Sequence, residues 1–127
     1  MTVDDIAQVN WPESRLQAKY IQAYIGETPH LYFGNESDEH RKVLQRFLEE
    51  AELDFEYISQ GGKSLPSPNG SNYRVAGMGF GIVNPDGQYA LLGSSSYDYS
   101  MKTDAEHIRK IKAVYPDWDF RIDNEPI

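Results

Sequence analysis

The 127-residue chain contains no cysteine. That absence excludes disulfide scaffolds, thiolate-bound zinc, iron–sulfur clusters and thiol nucleophiles together. Nor is there an apolar run of about 18 residues, the length a membrane helix needs. The opening segment MTVDDIAQVN has acids where a secretion signal carries cations, and no apolar stretch follows. A cytoplasmic protein that does not enter membranes is therefore expected. Bases are scarce as well: 12 Lys and Arg stand against 20 Asp and Glu, a formal charge of −8. Affinity for a phosphate backbone rests on cations that displace counterions, so nucleic acid is not an expected partner.

What is present suffices for one domain spanning residues 1–127. Hydrophobic residues make up 39% of the chain and aromatics 13%, enough for a core without staples at this length. Pro12 and Gly26 bracket a stretch in which Leu16, Tyr20, Ala23 and Tyr24 lie on one helical stripe, predicting a helix. HLYFG predicts a strand, residues 38–52 a helix with Val43, Leu44, Phe47, Leu48 and Ala51 inward, and DFEYIS a second strand. Ser37 or Asn35 would cap that helix. Two strands around one helix predict a parallel βαβ unit. Residues 60–79, with Pro66, Pro68 and five glycines, predict a long flexible loop. FGIV and QYALL flank Asn84-Pro85-Asp86-Gly87, a hairpin signal. Thr103 with Glu106 reads as a capping box, opening a helix with Ala105, Ile108, Ile111 and Tyr115 inward. WDFRI predicts the last strand. The class is thus α+β: a mixed sheet of four to six strands with two or three helices.

The order of a βαβ unit, a hairpin and a helix over about residues 30–115 resembles the thioredoxin or glutaredoxin layout, and also suits a ferredoxin-like sheet. No motif accompanies the likeness. Where a glutaredoxin-like protein carries Cys-x-x-Cys, this chain has Gly34-Asn35-Glu36-Ser37-Asp38, so redox chemistry is excluded. Other motifs fail on context. Gly61-Gly62-Lys63-Ser64 lacks the earlier glycine of a P-loop and runs into prolines. Gly77-Met78-Gly79-Phe80-Gly81 precedes a strand instead of following one. Asn69-Gly70-Ser71, GFGIV, Glu106 and Asp123 faintly resemble a ribonuclease H-like core, but the leading carboxylate is replaced by Asn69. His30, His40 and His107 stand apart, and no metal or other cofactor is expected.

Two constellations remain. Residues 30–59 hold eight acids and three bases, and Glu49, Glu50, Glu52, Asp54 and Glu56 run from a helix C-terminus into a strand. Acids at that end oppose the macrodipole, each at about 0.3–1 kcal/mol. Such a patch suits docking to a protein with a basic surface, and predicts a small non-enzymatic interaction protein of inhibitor, immunity or antagonist type. The alternative is a small-molecule or enzyme site where the 60–79 loop meets residues 94–102. There Lys63, Tyr73, Arg74, Tyr97 and Tyr99 would supply an anion contact, stacking and hydrogen bonds. Nine tyrosines and two tryptophans also leave room for an aromatic homodimer interface.

Overall fold

The structure is a computed structural model and describes residues 8–93, 96 and 99–123. Strand β1 (Leu16–Ile25) folds back on β2 (Thr28–Asn35), then helix α1 (His40–Glu50) follows. Next come β3 (Tyr57–Gln60) and β4 (Lys63–Pro66), then β5 (Tyr73–Asn84) and β6 (Tyr89–Gly93). Helix α2 (Ala105–Val114) and β7 (Asp119–Ile122) complete the order. Five strands form a mixed sheet in the order β2-β1-β5-β6-β7, and β3 pairs with β4 in a separate two-stranded sheet. The α+β class, the strand number and the two helices match the expectation. So does the order strand–helix–strand, hairpin, helix, strand.

Residues 16–25 are a strand and not the predicted helix. Leu16, Tyr20 and Tyr24 are four apart, an interval that keeps residues on one face of a strand as well as of a helix. Tyr and Ile favour the strand. Alternation is hidden because Tyr20 to Ile25 are all buried, as in a central strand covered on both faces. Gly26 has φ +61 and opens the two-residue turn that sets Ile25 opposite Thr28. A left-handed residue there matches the twist of the strands.

Parallel pairing also falls elsewhere than predicted. The strands around α1 lie in different sheets, while β6 and β7 pair in parallel across α2. The stretch 60–79 is not an irregular loop, since it contains β4 and the first seven residues of β5. Gly61 and Gly62, at φ +60 and +78, turn β3 into β4. Asn84 Oδ1 accepts from the Asp86 and Gly87 amides, shaping the predicted hairpin turn.

The helices cover opposite faces. Val43, Leu44, Phe47 and Leu48 of α1 pack on Ile21, Ala23 and Ile25. Ile108 and Ile111 of α2 pack with Ala18, Tyr20, Val83, Ala90 and Leu92. Trp11 stacks on Trp118 at 3.7 Å between ring centroids and meets Tyr115 edge-on, closing the α2 side. At the β2 edge, the Asn10 side chain accepts from the Phe33 amide (2.7 Å) and donates to its carbonyl (2.9 Å).

On the α2 face, residues 102–104 cross β5 at close range. A Cβ on Gly77 would lie 2.6 Å from the Lys102 carbonyl, and one on Gly79 2.4 Å from both the Gly93 carbonyl and the Tyr20 hydroxyl. The Gly-x-Gly-x-Gly run is thus a clearance for main chain, where no side chain fits. Gly79→Ala is expected to destabilise the fold by about 1–3 kcal/mol through overpacking. It should appear as a lower urea midpoint at unchanged slope; an unchanged midpoint would contradict the close crossing.

Candidate functional site

The acidic run begins where α1 ends. The Leu53 amide donates to the Leu48 carbonyl (3.0 Å) and the Glu52 amide to the Glu49 carbonyl (3.1 Å). This is a Schellman closure, with Leu53 tucked into the core. Its left-handed position is Glu52, at φ +55, where glycine is the usual occupant. Nor does the last turn of α1 carry a base. Helix packing outweighs these costs, because each buried Val, Leu or Phe contributes about 1.5–3 kcal/mol.

Glu49, Glu50, Glu52, Asp54 and Glu56 are all exposed. Glu50 lies beside Tyr32, whose phenol is held above its ordinary pKa first by burial and then by that carboxylate. Asp54 and Glu56 flank Phe55, which packs on the core. With Asn69, Gly70 and Ser71 the two acids line a hollow of about 300 Å³. The Ser67 amide donates to the Glu56 carbonyl (2.7 Å) and fixes this wall. Tyr57, just beyond, is 54% exposed. The five acids are thus exposed between the end of α1 and the start of β3, alternating with Ala51, Leu53 and Phe55, which turn towards the core.

The alternative set comes together only in part: Tyr73 and Tyr99 meet on the β4–β5 connection, while Lys63 and Arg74 lie elsewhere. The Tyr73 hydroxyl donates to the Ser67 carbonyl (2.6 Å) and that of Tyr99 to the Pro66 carbonyl (2.7 Å). Both rings are buried and bind the β4–β5 connection to the core. Lys63 stands 3.6 Å from Glu39 near the start of α1. Arg74 lies on the other face, its guanidinium 4.2 Å from the Tyr24 ring centroid. Tyr97 is outside the described residues. A hollow of about 610 Å³, lined by Ile25, Gly26 and residues 69–74, takes in only Tyr73 and Arg74 of the set. The ring of Tyr24 also receives Lys110, at 4.9 Å. No local pattern in sequence links positions 24, 74 and 110.

The chain matches no family model and no curated protein.

The polar interior is a seam between β1 and the start of α2. The Gln22 amide group donates to the Asp104 carbonyl (2.8 Å) and accepts from the Asp104 amide (2.7 Å). Tyr20 donates to the Gly93 carbonyl and sits 2.6 Å from Thr103 Oγ1. With Thr103 so engaged, the helix cap moves to Asp104, which accepts from the His107 amide. His107 Nε2 lies 3.1 Å from the Ala23 carbonyl, and its Nδ1 lies 3.3 Å from Gln22 Nε2. A neutral ring protonated at Nε2 satisfies both contacts. A second proton would face the Gln22 donor.

The seam is structural, since its polar atoms are taken up by one another. His40 is likewise buried, its Nε2 2.8 Å from the Gly79 carbonyl. Glu36, four residues before His40, stays outside α1, so the two share no helix face. α1 itself starts at His40, and neither Ser37 nor Asn35 caps it; Asn35 instead accepts from the Ser37 amide. Among the described residues no three His, Asp or Glu side chains gather as a metal site. No helix of the described residues is long and apolar enough to cross a membrane.

Burial pushes His107 down to about 4 from 6.5. Between those values the unfolded chain binds the extra proton, so stability rises with pH. This contribution should fall by about 3 kcal/mol as pH drops from 6.5 towards 4, and should be absent from the slope above 6.5. Urea midpoints of the native chain and His107→Gln across that window check it. An equal slope in both would contradict the assignment.

Proposed function

We propose that the protein is a small, non-enzymatic docking protein whose acidic segment, Glu49 to Glu56, covers a basic surface on a protein partner. The observation that carries this reading is Glu52. It occupies a left-handed position with φ +55, at a helix end where negative charge is itself unfavourable. Glycine is the residue that adopts this conformation without strain. A side chain kept at a local cost to stability is the pattern expected of a binding residue. Glu49, Asp54 and Glu56 extend the same exposed segment, and acids so arranged steer a cationic partner and fix its orientation.

The test separates charge from fold. Glu52→Gly should raise stability by about 1 kcal/mol through relief of the left-handed strain, measured by urea denaturation. The same variant should bind the partner more weakly. The triple variant Glu49→Lys, Asp54→Lys, Glu56→Lys leaves Glu50 beside Tyr32 untouched. It should abolish capture of a partner that native protein retains at low salt and releases at high salt. A partner captured equally by the triple variant, or retained at high salt, would overturn the proposal.

A further inference from the structure

We propose that the groove between α2 and β7 is a binding site for a small aromatic carboxylate. Arg109, Lys112, Ala113 and Pro116 are spaced i, i+3, i+4 and i+7, so they form one stripe along α2 and its exit. Asp119 and Phe120 of β7 form the facing wall, and the open groove between them has a volume of about 640 Å³. That volume lies within the roughly 300–1,000 Å³ of small-molecule sites. Ala113, Pro116 and Phe120 supply the apolar surface such sites need.

The polar groups decide the ligand's chemistry. The Lys112 ammonium donates to the Trp118 carbonyl at 2.8 Å, which fixes its position and leaves two of its three donors. Arg109 is exposed and makes no hydrogen bond or ion pair to a described residue, so its fork of donors is uncommitted. The one acid of the lining, Asp119, is held by Arg121 at 3.2 Å. Two cations one helical turn apart, above an aromatic and aliphatic floor, thus stand in a chain of net charge −8. A carboxylate bridging Arg109 and Lys112 would form charge-assisted bonds. Its aromatic body would lie along Phe120 towards Pro116. This site is separate from the acidic segment and independent of the reading given to it.

The probe is 2-naphthoate, titrated into the full chain while backbone amide resonances are followed, with neutral 2-naphthamide as comparison. The expected result is saturable one-to-one binding of naphthoate, with shifts centred on residues 109–120 and little response to the amide. Arg109→Gln should weaken naphthoate about tenfold, the share of one charge-assisted bond. Ala113→Trp should fill the groove and abolish the response. Both positions are exposed, and the amide spectrum reports directly whether each variant is folded. Equal binding of amide and acid would overturn the proposal. So would shifts centred elsewhere, no saturation at millimolar probe, or unchanged affinity in folded Arg109→Gln.

Discussion

The approach of residues 102–104 to the glycines of β5 is the contact on which the rest of the sheet depends. Without side chains at Gly77 and Gly79, the main chain before α2 comes close enough for Gln22 to pair with both backbone groups of Asp104. Gln22 thereby acts as a short strand neighbour, satisfying buried groups that would otherwise each cost about 1–3 kcal/mol. The helix start is set from the sheet, and its cap falls on Asp104 for that reason. Once α2 is placed, β7 follows beside β6, and Trp118 reaches Trp11. Sheet, helix and aromatic closure therefore share one point of origin.

Local patterns carried a good part of this fold. The inward face of α1, the Asn84–Gly87 turn and the last strand were legible because their signals are short-range: periodicity, turn chemistry and composition. Residues 16–25 were not, because a four-residue interval serves both periods and burial on both faces erases alternation. The β3–β4 hairpin was obscured by Pro66 and Pro68, which sit at the margin of an edge strand, where a missing donor is tolerated. The capping box misled for a different reason. Thr103 is a sound cap in isolation, but a tyrosine more than eighty positions away engages its hydroxyl.

The candidate site divides in the same manner. An uninterrupted acidic run is visible as letters, and its exposure follows from charge. That Glu52 holds a left-handed conformation was not visible, since helix termination there depends on where Leu53 finds its pocket. Tyr73 and Tyr99 looked available because tyrosines in a glycine-rich stretch suggest adaptable contacts. Their hydroxyls instead reach the carbonyls of Ser67 and Pro66, partners that only the folded β4–β5 connection creates. The groove at α2 has no signature in the sequence, because Arg109 and Lys112 are ordinary cations for an exposed helix and β7 completes the lining only in the fold.

Asn10 gives the sheet a directional character. By answering both backbone groups of Phe33 with its side chain, it occupies hydrogen-bonding positions that an incoming strand would use. Residues 8 and 9 add a carbonyl bond and a bridge to Leu31. The opposite border, β7, sends the charged Asp119 and Arg121 outward, a combination unfavourable to flat stacking. Association with another molecule is thereby steered away from growth of the sheet and onto side-chain surfaces, where recognition is read by charge and shape and not by a backbone ladder that any extended chain could extend.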